Sequence, residues 1–324
     1  MSRPPFALAK PELGGWRNGN TGTTGVWRFD AAVPGNEVLV TALVHGNELC
    51  GAWAALAALE AGLRPRRGAL TLALCNLDAF DRYDAADPDA SRFVDQDLNR
   101  LWGAMAWRTD AAAHSCEQRR AIELRPFVER ANRLLDLHSM HECGPPLGLT
   151  GPHPQHAALA AAMGMPELLV ADAGHREGCR LRDHGRFGDA HEADAQALLV
   201  ECGFHGDPAG RDVAIDALAR FLLATGCIDT NDIPAGWRLP AAPTQRLLQV
   251  SAAVTVADGE PPRFAQAWRS GECIAQAGTL LGWNGGEPLR TPYDNCVLVM
   301  PSLHHAHPGA TILRLAREPR VLRR

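Results

Sequence analysis

No stretch of the chain approaches the roughly 20 consecutive apolar residues that a membrane-spanning helix requires, so no membrane partner is expected. The opening segment MSRPPFALAKPELGG lacks the basic-then-apolar layout of a secretory signal, which makes a cytoplasmic protein the expectation. Basic residues form no stripe. The 32 Lys and Arg are scattered among 37 Asp and Glu, for a net charge of −5, and nothing offers itself to a phosphate backbone. Nucleic acid is therefore not expected as a partner. No CxxC pair occurs among Cys50, Cys75, Cys116, Cys143, Cys179, Cys202, Cys227, Cys273 and Cys296, which removes zinc ribbons and dithiol redox motifs. That odd, dispersed set reads mostly as reduced core residues. Repeats and low-complexity tracts are missing as well, and an apolar content of 46% excludes a disordered chain.

What is present is length and alternation. A chain of 324 residues can bury one large core and carry a second, smaller domain. Short apolar runs at 37–44, 69–77, 133–137, 167–171 and 197–200 read as strands. Helical stretches lie between and after them, one reaching about Leu63 and others at 116–131, 154–163 and 208–225. This alternation predicts an α/β sheet. The small residues between Gly51 and Gly62 predict a helix packed closely on that sheet. After Gly226 the composition shifts to IDTNDIPAGWRLPAAPT, rich in proline and turn formers, followed by short β-like segments. A boundary near residue 230 is expected, giving a first domain at 1–230 and a β-rich domain at 231–324 that docks on it.

Ligands of open α/β sheets sit beyond the carboxyl ends of the strands, so the residues at which apolar runs stop carry the information. VLVTALV stops at His45, and HGNE places Glu48 three residues on, where both side chains can face one point as half of a zinc site. RLLDL stops at His138, a third ligand on a neighbouring strand. Three ligands leave one position open for a water, whose pKa at zinc falls from about 15.7 to about 7. ALLV stops at Glu201, where a carboxylate could take a proton from that water and pass it to a departing amine. The stretch SRFVDQDLNR adds Arg92, Asn99 and Arg100, donors suited to carboxylates and oxyanions.

These residues together resemble the succinylglutamate desuccinylase and aspartoacylase family, itself similar to the zinc carboxypeptidases, over most of the chain. The resemblance implies a zinc-carboxypeptidase-like α/β/α sandwich with a mixed central sheet, and a smaller β-rich C-terminal domain capping the site. It implies one zinc ion per chain, held by His45, Glu48 and His138, with Glu201 as general base. RFVDQDLNR matches the family's stretch residue by residue, implying that Arg92 steadies a carbonyl oxyanion while Asn99 and Arg100 hold a substrate carboxylate. The implied activity is removal of an acyl group from a small N-acyl amino acid. Two departures stand out. Aspartoacylase-like members carry a substrate-binding arginine shortly before the glutamate, where DHGRFGDAHEADAQALLVE offers Arg186 and His191. They also reach a tyrosine in from the C-terminal domain, where MPSLHHAHPG offers His304 and His305.

Each signal has a plainer reading. An isolated HxxE is usually a solvated helix face, and Arg92 or Arg100 could form surface ion pairs. Glu201 could be a buried carboxylate paired for structural reasons. His141, Glu142 and Cys143 suggest a second metal but read more simply as loop residues at the entrance. His304, His305 and His307 could bind metal, read substrate or face solvent. Cys50 and Cys202 lack an activating partner and read as packing. Competing functions are a metallocarboxypeptidase acting on a short peptide and a non-catalytic zinc or metabolite-binding scaffold. The loop 173–195 governs pocket shape, so the acyl group and amino acid stay open, as does oligomeric state, a homo-oligomer included.

Overall fold

The computed structural model describes residues 5–103, 114–175, 177–240, 244–304 and 306–323. The apolar runs become strands and the small-residue segments become helices. In chain order come β1 (Val26–Asp30), β2 (Glu37–Ala42), α1 (Leu49–Glu60), β3 (Ala69–Leu74), α2 (Leu77–Asp81) and α3 (Cys116–Arg130). Next are β4 (Arg133–Met140), β5 (Leu147–Leu149), α4 (Pro154–Met163), β6 (Leu168–Ala171), β7 (Gln196–Phe204) and α5 (Ala209–Ala224). The remainder is β8 (Thr244–Thr255), β9 (Arg263–Phe264), β10 (Cys273–Ile274), β11 (Leu280–Asn284), β12 (Glu287–Arg290), β13 (Cys296–Val299) and β14 (Thr311–Arg323). Local chemistry sets several ends. Ser115 and Gln118 form a reciprocal capping box that starts α3. Pro154 opens α4, and Gly164 in the left-handed region closes it.

Eleven strands form one mixed sheet in the order β1-β3-β2-β4-β7-β5-β6-β8-β14-β13-β10. β2 pairs in parallel with both β3 and β4, and β4 with β7. The chain therefore leaves β2 toward β3 and returns through α3 to β4 on the other side, which opens a crevice at the carboxyl ends of β2 and β4. Helices cover both faces. One core cluster joins the sheet to α1, α4 and α5, and another joins it to Ala121, Leu124 and Val128 of α3. β3 is buried along its whole length and β7 at every residue after Gln196, as strands covered on both faces must be.

Residue 230 falls between α5 and β8. β8 joins the central sheet beside β6, and β14, β13 and β10 continue it by antiparallel pairing. β12, β11 and β9 form a separate antiparallel sheet. Met140, Leu147 and Leu149 share one buried cluster with Val297, Val299 and Ala316, so the C-terminal strands pack against the edge of the crevice. Among the described residues no helix is long and apolar enough to cross a membrane.

Differences from the expected elements are local but bear on the site. β2 ends at Ala42, whereas β4 and β7 run on to Met140 and Phe204. His138 and Glu201 therefore lie within strands, not at their ends, because ladder pairing continues past each polar residue. β5 and α2 were not anticipated: Leu147–Leu149 is only three residues long and lies next to prolines, and α2 occupies what reads as the end of an apolar run.

α1 approaches the sheet more closely than any side chain allows. A Cβ on Gly51 would lie 2.9 Å from the Ala42 Cβ and 3.0 Å from the Leu137 Cβ. Gly51→Val should push α1 off β2 and β4 and destabilise the fold by about 1–3 kcal/mol, the range for overpacking a filled core. Urea unfolding checks this through a lowered midpoint; an unchanged midpoint would mean that the contact does not constrain the fold.

Candidate metal centre and active site

β2 delivers His45 by an abrupt exit from the sheet. Leu43 adopts φ 55°, a left-handed conformation uncommon for a side-chain-bearing residue. The chain then turns, with the Glu48 N–H donating to the His45 carbonyl over 3.2 Å as α1 begins. Glu48 occupies the N-cap position yet makes no capping bond. Its carboxylate serves other partners: His45 Nδ1 lies 2.7 Å from Oε1, and His138 Nδ1 lies 2.8 Å from Oε2. The Ser139 N–H also donates to Oε2 over 3.1 Å. One donor atom from each of His45, Glu48 and His138 lies within 4.8 Å of the others, and all three residues are buried.

Both imidazoles are held from behind by a carboxylate. Asp97 Oδ1 lies 2.9 Å from His45 Nε2. Asp136 Oδ2 lies 3.0 Å from His138 Nε2, close but off the hydrogen-bond direction, and the Thr41 hydroxyl donates to the other Asp136 oxygen over 2.7 Å. With the proton on Nε2, each ring turns an Nδ1 lone pair toward the shared point, the arrangement that backs metal-binding histidines. Burial works against ionised Glu48, but His45 and His138 outweigh it and hold its carboxyl well below the usual range. Burial likewise opposes a charged His138, yet Asp136 and Glu48 hold its pKa well above that of a free imidazole. A buried set of two nitrogens and one carboxylate, each backed by an acid or an amide, fits a divalent metal ion.

Glu201 stands directly opposite His138 in the parallel pairing of β4 and β7. Its Oε2 is buried and has no hydrogen-bond partner among the described residues. Burial, followed by the charge of Glu48, pushes its carboxyl up to about 8, with His138 and Arg92 pulling the other way. The Arg92 guanidinium spans the neighbourhood: Nη1 is 3.3 Å from Glu48 Oε1, and Nη2 donates to Asp97 Oδ2 over 3.2 Å. His45, Glu48, Arg92, Asp97, His138, Ser139 and Glu201 all line one pocket of about 770 Å³.

Asn99 and Arg100 also line this pocket, on a short 3-10 turn whose Asp97 caps Asn99. Asn99 Oδ1 already accepts the Leu181 N–H over 2.8 Å, which leaves its amide nitrogen as the group available to a ligand. Arg186 and His191 lie outside the pocket lining. The turn Gly185–Phe187 buries Phe187 and sends Arg186 outward, 3.4 Å from Glu192, while His191 is exposed. Arg180 reaches the pocket in their place. Its two terminal nitrogens donate to Asp172, just past β6, over 3.0 and 2.8 Å. Arg314 of β14 joins it, donating to His175 Nε2 over 2.8 Å and lying 3.5 Å from Asp172. Burial, then Arg100 and Arg314, lower the His175 pKa to about 2, so its ring is a neutral acceptor for Arg314. His304 and His307 line the mouth; His304 Nε2 is 2.7 Å from Asp89. His305 lies outside the described residues. None of the nine cysteines is in a disulfide, and Cys50 and Cys202 are buried.

Four contributors escaped sequence reasoning: Asp97, Asp136, Arg180 and Arg314. Two left a signal. Asp136 lies two residues before His138 on one strand, hence on the same face, and Arg314 interrupts the apolar strand TILRLA.

Asp136→Asn should weaken metal binding about 10- to 100-fold, the range for losing a carboxylate behind a ligand; competition with a chromophoric chelator measures it, and unchanged affinity would remove Asp136 from the site. A second expectation concerns the metal-free protein. The Glu201 carboxyl sits at about 8 when folded against an ordinary 4.5, so between these values the folded chain binds more protons than the unfolded one. That contribution to stability is complete below 4.5 and is lost as pH rises through 8. Melting curves at pH 5.5 and 8.5 should show a smaller loss for Glu201→Gln than for the wild type, whereas parallel profiles would contradict the shifted carboxyl.

No curated protein matches the chain in sequence. Among solved structures, a succinylglutamate desuccinylase from Vibrio parahaemolyticus superposes with a TM-score of 0.64 at 18% identity, covering 91% of this chain and 86% of its own. A succinylglutamate desuccinylase/aspartoacylase from Rhodobacter sphaeroides gives 0.61 at 18% identity, covering 91% and 89%. An aspartoacylase family protein from Mesorhizobium loti gives 0.61 at 16% identity, also covering 91% and 89%. At such identities these structures share the fold. The catalytic-domain model of succinylglutamate desuccinylase/aspartoacylase matches residues 34–203, which is 170 of the 324 residues. With more than half its length matched, including His45, Glu48, His138 and Glu201, the chain belongs to the succinylglutamate desuccinylase/aspartoacylase family.

Proposed function

We propose that the protein is a zinc-dependent hydrolase that removes an acyl group from a small N-acyl amino acid bearing at least one carboxylate. One observation carries the reading: a buried His45–Glu48–His138 donor set and the unpartnered Glu201 share a pocket with Arg100, Arg180 and Arg314. Burial, followed after Asp97 by repulsion from Arg92 and Arg180, lowers the pKa of Arg100. Burial also lowers that of Arg314, with Arg180 and Arg100 adding to it against Asp172. Three guanidiniums that repel one another in one pocket gain from an incoming anion.

His45, Glu48 and His138 are the proposed zinc ligands. Zinc bound there would supply Lewis acidity toward a carbonyl and toward water. Glu201 is assigned the proton transfers: it takes a proton as the water oxygen bonds to the acyl carbon, and returns one to the amine nitrogen as the C–N bond breaks. Its raised carboxyl supports this role, since a base near neutral pH exchanges protons in both directions. Arg92 is assigned to the developing oxyanion. The Asn99 amide nitrogen, with Arg100, Arg180 and Arg314, holds the carboxylate. Nine cysteines without a disulfide are in keeping with action in the reducing cytoplasm.

Hydrolysis of a panel of N-acetyl, N-succinyl and N-formyl amino acids by zinc-loaded protein tests the activity; release from none of them, or preference for short peptides cut at a C-terminal residue, would replace this reading with another. Glu201→Gln should lower kcat by about 100- to 10,000-fold, the range for a general acid-base group, with zinc content unchanged. Arg314→Met should raise KM more than it lowers kcat, by a factor of about ten or more for a lost charge-assisted bond of about 1.5–3 kcal/mol.

A further inference from the structure

A second group of metal-binding side chains lies at the mouth of the same pocket. Asp89 belongs to the turn Pro88–Ser91, His141 follows the last residue of β4, and His304 lies in the connection between β13 and β14. Three segments remote in sequence thus converge. His304 Nε2 lies 2.7 Å from Asp89 Oδ2, and His141 Nδ1 lies 3.2 Å from Asp89 Oδ1. One ligand atom from each residue lies within 4.8 Å of the other two. The two histidine rings have centroids 4.6 Å apart.

We propose that Asp89, His141 and His304 form a second divalent-metal site, separate from that of His45, Glu48 and His138. The donor chemistry selects the ion. Two imidazoles and one carboxylate suit zinc, cobalt, nickel or copper, whereas magnesium and calcium favour all-oxygen sites. A ligand spread below 4.8 Å is compatible with metal–nitrogen and metal–oxygen bonds of about 2.0–2.2 Å after small adjustments. The surroundings hold the ligands in place. Ser302 Oγ accepts the His304 N–H over 3.1 Å and donates to Glu142 Oε1 over 3.1 Å. Behind His141, the His205 ring lies edge-on at 4.5 Å, fixed by Ser139 at 2.7 Å. The side chains of Asp89 and His141 are 17% exposed and that of His304 is 33% exposed, so an ion can enter from solvent and keep water as a further ligand.

This site does not form a bridged pair with the first. Arg92 Nη1 lies 3.3 Å from Glu48 Oε1 and 3.5 Å from His141 Nε2, so a guanidinium separates the two donor sets. Bridged pairs hold their ions about 3.5–4 Å apart through shared oxygens, and no residue here is common to both sets. The ligands of this set are more exposed than the buried first three, so water competes more for the ion and this site is the weaker of the two.

The test counts zinc per chain in full-length protein, stripped with a chelator and dialysed against buffered zinc. Wild type should hold two equivalents. His304→Ala and Asp89→Asn should each lose one and retain the tighter one, and His45→Ala should lose the other. Magnesium alone should fill neither site. The two sites fail separately, because the equivalent removed by His304→Ala reports this site and that removed by His45→Ala reports the first. If neither His304→Ala nor Asp89→Asn changes the zinc count, the cluster is a hydrogen-bonded clasp between loops and the proposal is overturned; circular dichroism melts exclude loss of fold as the cause of a reduced count.

Discussion

The carboxylate of Glu48 is the interaction on which the site depends. An ionised acid that is 2% exposed is tolerable only with charge or hydrogen bonds on every side. Glu48 has His45 on one oxygen, His138 and the Ser139 amide on the other, and Arg92 nearby. The same contacts that make its burial tolerable orient the two imidazoles toward a common point. Replacing Glu48 would therefore remove a candidate ligand and also the reason the rings face each other.

Topology explains why these groups meet at all. The crossover from β3 through α3 to β4 returns the chain to the other side of β2, and the crevice opens where the direction of winding changes. The parallel register of β4 and β7 then sets His138 beside Glu201. Gly51 lets α1 lie close enough to β2 and β4 to carry Glu48 to the same point. Backbone packing and site geometry are one constraint here, because a shift of α1 moves Glu48.

The rest of the pocket is organised by charge. Arg100, Arg180 and Arg314 line it together with the acidic and imidazole groups, and Asp172, just past β6, ties Arg180 to Arg314. Arg314 comes from a strand that follows the 34–203 catalytic region. The C-terminal segment therefore contributes charge to the pocket as well as a wall, and His304 extends that contribution to the mouth.

The sequence by itself determined the fold class, the family and the group His45, Glu48, His138 and Glu201. His45, His138 and Glu201 each follow an apolar run and Glu48 comes three residues after the first of them, and such runs mark strands whose ends or late positions face a crevice. RFVDQDLNR likewise marked Arg92, Asn99 and Arg100, all of which line the pocket. What only the tertiary structure decided is what depends on loop paths and long-range pairing. Arg180, not Arg186, enters the pocket because Asn99 pins Leu181 and Asp172 grips the guanidinium, while Phe187 turns its neighbour outward. Asp136 and Asp97 stand behind the histidines, and Asp89 meets His141 and His304, through contacts between segments 52 to 215 residues apart or across one strand face. Periodicity reports which face of an element is apolar, but not where two distant loops come to rest, since that is settled by the packing of the whole sheet.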